Sequence, residues 1–412
     1  MRPYLDLLRR ERDFRRTYLA LLIALGGDWF AVVPLLVLLP QLTGSGLWGA
    51  LVLTADTLVF ALVAPYAGTV VDRLDRRRVL VVANVAGGAA ALLLLLVQSA
   101  ATAWVALVGM GLIAAAKAFA HPAGAAAIPN LVEPDDLPTA AVLNGASWGT
   151  MLAVGAALGG LVAGTLGPEA CFVATAVLLW LAAWMTARTT RPFFDPSAEP
   201  RPPATARADI AEAASYARRD RSVLALLTCK TGPAFGNGAL SLFPLFGAAA
   251  FGLGPLGVGL MYSARGVGAL VGPLLLRGRA GHSDDPRSLR PVLALSMAVF
   301  GVGYLALAVT PWFLLVLLLL TVAHAGGGAN WILSTYGLQA TVPDALRGRV
   351  FSADYTLATL VIAGSQVVFG LLSEVVPARE LLAASGAVVL LYSGLWFRAT
   401  RVLSRTPALE ET

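Results

Sequence analysis

The chain has 412 residues, of which 58% are hydrophobic and 13% are charged, and its mean hydropathy is +0.75. Soluble globular proteins contain about 25% charged residues, so this composition excludes a soluble enzyme, a disordered chain and a coiled coil. The net charge of +6 does not indicate a nucleic-acid partner, because the arginines are scattered among apolar segments. We therefore predict an all-α, polytopic membrane protein whose main partner is the lipid bilayer.

Twelve apolar stretches are long enough to cross a bilayer, whose hydrocarbon core requires roughly 20 residues of helix. In chain order, spans 1 to 12 are predicted at about 17–40, 47–71, 79–98, 102–122, 140–165, 170–190, 222–250, 254–276, 291–309, 312–336, 350–376 and 380–399. Several contain proline, which membrane helices tolerate because neighbouring groups satisfy the freed backbone. The first stretch is predicted to be an uncleaved helix, since another span follows it closely.

The positions of the cationic residues predict the orientation. Nearly all of the 30 Lys and Arg residues fall in the termini or in loops on one side, whereas Arg379 is assigned to the opposite side. Lys117, Lys230 and Arg265 lie within spans. Because cationic loops remain in the cytoplasm, we predict that both termini are cytoplasmic.

A proline-rich segment between spans 6 and 7 divides the chain into two halves. We predict a six-helix bundle at 1–190, a cytoplasmic linker with a short surface helix at 191–220, and a second six-helix bundle at 221–412. The sequence Pro-Asp-Asp-Leu at 134–137 recurs as Pro-Asp-Ala-Leu at 343–346, in the equivalent position of the second half. This repeat indicates pseudo-symmetric halves that enclose a site at the membrane midplane.

The loop after span 2 combines a glycine, an acid and several arginines. Gly68 is expected to let a neighbouring helix approach closely, and Asp72 can pair with a helix N-terminus or with an arginine. The simpler alternative is a basic loop that only sets topology. The Gly-x-x-x-Asp-Arg spacing favours a gate, formed by Gly68, Asp72, Arg73, Arg76, Arg77 and Arg78.

This motif, the twelve spans and the central loop resemble the major facilitator superfamily of secondary transporters. Within it, the chain resembles the transmembrane secretion effector branch, which is enterobactin-exporter-like, at 26–29, 129–144, 264–273 and 342–350. Asp75 stands where the superfamily commonly has a second glycine in the gate loop. The resemblance implies that this loop latches the two halves together, and we expect Arg347 and Arg349 to be the partners of Asp72.

Span 5 contains Gly155, Gly159 and Gly160 where drug-exporting antiporters of the superfamily carry Gly-Pro-x-x-Gly-Gly. Ala156 replaces the proline. The glycines permit close helix packing, and they are compatible with either a purely structural role or a role in export.

Ionisable side chains within spans are candidates for function, because placing a charge in a bilayer costs about 2.5–3.5 kcal/mol on insertion scales. We predict that Asp28 or Asp56 binds a proton and that a cationic side chain competes for the acid as its countercharge. The candidate countercharges are Lys117, His121, Lys230 and Arg265. The alternative is that each acid is permanently paired and only holds helices together.

Three further predictions concern side chains near the central site. His324 either lines the cavity or is a satisfied packing histidine. Asp354 is expected about one turn into span 11, where the helix N-terminus favours an acid, and is interpreted as structural. Trp29, Phe235 and Trp331 are candidates for lining a substrate cavity.

Missing motifs narrow the function. The sequence contains no P-loop, no His-Glu-x-x-His and no Cys-x-x-Cys, so neither ATP hydrolysis nor a metal centre is predicted. We predict a monomeric secondary active transporter in a bacterial inner (plasma) membrane. It is expected to export a small organic molecule (a drug, a siderophore or a secondary metabolite) by rocker-switch alternating access. The proton gradient is the energy source and no cofactor is expected. The alternatives are a uniporter or importer of the same fold and, in a different class, a non-transporting membrane scaffold or enzyme.

Overall fold

The computed structural model describes residues 2–71, 73–193, 215–280 and 289–401, and every regular element within these ranges is helical. Twelve helical spans in this described part are long and apolar enough to cross a membrane, which confirms the predicted fold class. The spans are Arg12–Thr43, Leu47–Val71, Arg76–Leu93, Trp104–Leu131, Leu137–Leu166, Pro168–Ala187, a broken span 7, Pro255–Ala280, Leu289–Val309, Phe313–Thr341, Asp344–Leu372 and Ala378–Thr400. A short helix, Arg2–Arg10, precedes span 1.

Capping residues explain where several helices begin and end. Gly44 ends span 1 in the left-handed conformation, with φ of 71°. Asp75 precedes span 3 and accepts a hydrogen bond from the Arg77 backbone N–H at 2.9 Å. Asp220 does the same at the start of span 7 for Ser222.

The two largest errors in the predicted boundaries are at the end of span 4 and the start of span 11. Span 4 continues to Leu131, past its predicted end at 122, because Pro122 and Pro129 are accommodated inside the helix. Span 11 begins at Asp344 instead of 350. Asp354 therefore lies almost three turns into the helix, and the expectation that it sits about one turn from the start is wrong.

Span 7 is discontinuous. It consists of Arg221–Cys229, Thr231–Gly236 and Phe243–Phe251, with a 3₁₀ stretch at Asn237–Leu242. Glycine and proline within 232–238 have low helix propensity, which explains the interruption. The first break places Lys230 at the joint between two helical segments.

The chain forms two compact units. Unit 1 comprises Met1–Pro203 and Ser241–Gly266, and unit 2 comprises Ala204–Leu240 and Val267–Thr412. A hydrophobic cluster in unit 1 contains Phe14, Leu131 and Phe193, and one in unit 2 contains Met297 and Trp396. The division of the sequence at 190 and 221 stays a prediction.

Glycines of span 5 allow close packing inside unit 1, as their pattern predicts. A methyl group at Gly160 would lie 2.6 Å from the Pro255 carbonyl oxygen, and one at Gly259 would overlap the Ala156 carbonyl. Since backbone lies directly against backbone here, any larger residue at Gly160 would separate span 5 from the start of span 8.

Candidate functional site

Three charged side chains from three spans meet inside unit 1. The Lys117 ammonium Nζ lies 2.7 Å from Asp56 Oδ1 and 3.2 Å from Asp28 Oδ2. The side chains of Lys117, Asp56 and Asp28 are 24%, 23% and 13% exposed. Two carboxylates therefore share one ammonium, and the group remains partly accessible. We call these three residues the Lys117 cluster.

Close packing of spans 1 and 6 fixes the position of Asp28. A methyl group at Gly27 would lie 3.5 Å from Leu178, so span 6 sits against span 1 immediately before the acid. The Thr175 hydroxyl on span 6 donates a hydrogen bond to the Gly27 carbonyl at 3.1 Å. These contacts hold the span 1 backbone, so that Asp28 projects toward Lys117 on span 4.

A cavity bordered by spans 1, 3, 4, 5 and 6 of unit 1 adjoins the Lys117 cluster. Asp28 and Lys117 line it, as do Asn84, His121 and Asn144. Its remaining lining is mainly apolar. We call this cavity the slot.

Unit 2 contains a second lysine with a carboxylate partner. Lys230 forms a salt bridge with Asp354 of span 11, and the two side chains are 1% and 6% exposed. Lys230 Nζ also donates to the Thr335 hydroxyl at 3.1 Å and lies 4.9 Å from the centre of the Trp331 ring. Asp354 Oδ1 is buried and has no hydrogen-bond partner in the described part of the chain. We call Lys230 and Asp354 the Lys230 pair.

Sequence reasoning identified Lys230 but missed Asp354 as its partner. The error follows from the late boundary predicted for span 11, since an acid almost three turns into a span would have qualified as an intramembrane charge. A hydropathy profile detects no boundary there, because Arg347 and Arg349 lie inside the helix.

The other predicted residues near the midplane have separate partners. His324 is 5% exposed and lies 3.0 Å from the Tyr304 hydroxyl through Nε2, which agrees with the packing alternative. The Arg265 guanidinium lies 5.2 Å from the centre of the Trp148 ring. The three predicted aromatic residues each pack against another ring: Trp29 on Tyr262, Phe235 on Phe369, and Trp331 on Tyr355.

The predicted gate loop is partly described. Asp72 lies outside the described residues, so its pairing with Arg347 and Arg349 stays a prediction. A methyl group at Gly68 would meet no described atom within 4 Å, so the described residues do not make the close helix approach expected there. Arg73 is exposed, and Arg78 lies 3.9 Å from Asp75.

Arg76 and Arg77 bind the segment that follows span 6. Arg76 donates to the carbonyls of Ala126 and Phe193 at 2.9 and 3.0 Å. Arg77 donates to the Arg191 carbonyl at 2.7 Å. These two arginines therefore fasten residues 191–193 to the start of span 3 within unit 1.

Asp13, at the start of span 1, holds the same segment and was not identified from the sequence. Its Oδ2 accepts hydrogen bonds from the Thr190 and Arg191 backbone N–H groups at 2.9 and 2.8 Å and from the Thr190 hydroxyl at 2.7 Å. Nearby, Arg10 of the N-terminal helix pairs with Asp136, whose carboxylate raises the pKa of Arg10 above its ordinary value. A polar network in unit 1 thus connects the N-terminal ends of spans 1, 3 and 5.

Comparison with known families decides the identity of the chain. The family model described as transmembrane secretion effector matches residues 8–410. The chain belongs to the transmembrane secretion effector family. As a member, it is a membrane transporter of the major facilitator type and not an enzyme, which confirms the resemblance noted in its sequence.

Solved structures share the fold of this transmembrane secretion effector at low sequence identity. A bacterial homologue of the human lysosomal transporter Spinster matches in its inward-facing unoccupied form with a TM-score of 0.72 and 15% identity, covering 96% of this chain and 99% of the other. Its inward-facing occupied form gives 0.74 and 14%, covering 97% and 99%. An auto-inhibited peptide transporter of the POT family gives 0.64 and 16%, covering 96% and 99%. A search of curated proteins finds no match.

Proposed function

We propose that this transmembrane secretion effector is a proton-coupled exporter of a small organic molecule in a bacterial inner membrane. The observation that carries the proposal is the Lys117 cluster, in which Asp28 and Asp56 share one ammonium and remain partly exposed. A proton is the smallest cation that neutralises the surplus negative charge of such a group.

The chemistry follows from charge balance. With both acids ionised, Lys117 balances one negative charge and leaves the other uncompensated. A bound proton removes that charge, and a cationic or hydrogen-bonding group of the substrate that binds the same acid displaces the proton. Mutually exclusive binding of proton and substrate produces antiport when each is bound on a different side of the membrane.

Alternating access would come from rocking of the halves 1–190 and 221–412, with cytoplasmic termini. The loop from Gly68 to Arg78, together with Arg347 and Arg349, would act as the cytoplasmic latch. Arg76 and Arg77 support a fixed base for such a latch, because they fasten the start of span 3 to residues 191–193.

Transport by reconstituted protein tests the role of Asp28. A compound retained by a strain lacking the protein would first be identified from efflux profiles, and its transport into proteoliposomes would then be measured with and without a pH gradient. In Asp28→Asn we expect at least a tenfold loss of gradient-driven transport, since the variant cannot hold an exchangeable proton. Glu380→Gln, an exposed acid outside both lysine groups, is the matched control.

The outcomes separate the alternatives. Equal gradient-driven transport by Asp28→Asn and the unchanged protein would show that Asp28 does not carry the coupling. Transport by the unchanged protein that ignores the gradient would indicate a uniporter. Accumulation of the compound together with protons would indicate an importer.

A further inference from the structure

The slot in unit 1 combines a charged group with walls that are mainly aliphatic and carry a few neutral polar side chains. Asp28 and Lys117 line it, and we call the part of the slot beside them its charged end. Four of the bordering spans contribute aliphatic side chains to the walls: Leu25 from span 1, Leu80 from span 3, Ile113 from span 4 and Leu179 from span 6. Such a surface is complementary to an amphipathic molecule with a single polar end.

Two glycines that line the slot show where it is narrow and where it is wider. A methyl group at Gly87 would lie 3.4 Å from Leu179 and 3.5 Å from Ala116, so the walls are close together at this level. At Gly124 the nearest atom to an added methyl group would be on Leu80, at 3.9 Å, which leaves space beside the helix. This geometry favours an unbranched aliphatic chain over a bulky ring.

The charged end of the slot has a net negative charge when both acids are ionised, because two carboxylates share one ammonium. Lys117 lies nearer to Asp56 than to Asp28, at 2.7 against 3.2 Å, and Asp28 is the one of the two acids that lines the slot. Asp28 therefore presents a carboxylate that is incompletely compensated. The other titratable groups that line the slot are Tyr18 and His121. An ammonium group is attracted to this end, whereas a carboxylate is repelled by the two acids.

We propose that the slot binds the aliphatic chain of an organic monocation, with the cationic head on Asp28. The chain lies between spans 1 and 4 against Leu80 and Leu179. This assigns a substrate class to the exporter proposed above and depends on that proposal for the direction and coupling of transport, but not for binding itself.

Binding of simple amphiphiles to the full chain in lipid nanodiscs tests the proposal. The probes are butyl-, hexyl- and octylammonium, with the alkanol and the alkanoate of each chain length as controls, and empty nanodiscs supply the lipid background. We expect each ammonium to bind at least about tenfold more tightly than the matching alkanol, and the alkanoate to bind most weakly. Each added CH₂ should strengthen binding by up to about fourfold.

Two variants separate the charged end from the walls. Asp28→Asn should remove the preference for ammonium over alkanol. Asp28→Glu should retain most of that preference, which would show that a substitution at this position does not unfold the protein. Gly124→Val should weaken octylammonium more than butylammonium, because it narrows the slot. Gly145→Val, a site where an added methyl group meets no described atom within 4 Å, is the matched control and should change neither.

The result also distinguishes this inference from the proposed function. Equal or tighter binding of the alkanoates, or an ammonium preference that survives Asp28→Asn, would overturn the assignment of the slot. Selective ammonium binding without proton release would preserve the slot and contradict proton coupling. Proton-driven export of an anion would preserve the coupling and contradict the slot.

Discussion

The two lysine groups of this transporter have opposite designs. In the Lys117 cluster, one lysine meets two acids and each side chain remains between 13% and 24% exposed. In the Lys230 pair, one lysine meets one acid and the side chains are 1% and 6% exposed. The Lys117 cluster therefore has one more acid than base and is partly exposed. The Lys230 pair has one acid and one base and is buried.

This difference separates a site that can exchange a ligand from one that holds helices together. A balanced buried pair loses much by releasing either partner, since an uncompensated charge then remains out of water. The Lys230 pair joins the break in span 7 to span 11 and places the ammonium against Trp331. We therefore expect removal of Lys230 to affect stability first and removal of Lys117 to affect transport first.

The largest expected effect is the loss of stability on replacing Lys230. Lys230→Ala leaves Asp354 buried without its partner and should destabilise the fold by about 3–5 kcal/mol, seen as a lower yield of monodisperse protein and a lower thermal midpoint. Lys117→Ala should cost about 1–2 kcal/mol, because water can reach the acids that it leaves.

A double substitution tests the reason for that contrast. Lys230→Met with Asp354→Leu removes both charges together and should recover most of the stability lost in Lys230→Ala. If the double variant were as unstable as the single one, burial of an unpaired charge would not be the cause. If Lys117→Ala were the more destabilising of the two lysine variants, the comparison itself would be wrong.

An intermediate effect is expected at Asp13, whose carboxylate is buried but accepts its hydrogen bonds near the end of the bundle. Asp13→Ala leaves the Thr190 and Arg191 N–H groups without their acceptor and should cost about 1–3 kcal/mol. Limited proteolysis after residue 190 should accelerate in this variant. Asp6→Ala, an exposed acid of the N-terminal helix, is the control, and equal proteolysis of both variants would contradict the assigned role.

The smallest effect is expected at Gly68, where an added side chain meets open space. Gly68→Ala should leave the fold intact and stabilise the helix by less than about 1 kcal/mol, measured by thermal unfolding.

For the latch, Asp72→Arg should impair transport while membrane insertion stays normal. Undiminished flux in Asp72→Arg would count against the latch, and a loss of transport in Gly68→Ala would show that another state packs a helix there.

The gate loop shows how far a motif predicts contacts. Its spacing indicated a gate, yet in the described residues Arg76 and Arg77 donate to carbonyl oxygens of 191–193. Asp13 completes that arrangement, but no spacing in the sequence connects position 13 to position 190. Such pairings depend on which helix ends meet in space.

The sequence by itself determined the twelve spans and the transporter fold, because the bilayer requires long apolar helices and hydropathy records them directly. It also identified Asp28, Asp56 and Lys117 as a set of candidates, since a charge within a span is costly enough to be conspicuous. Only the tertiary structure decided that Lys117 contacts both acids and that Lys230 belongs with Asp354. The reason is that pairing depends on the rotation and offset of neighbouring helices, which packing sets and the hydropathy of a single span does not record.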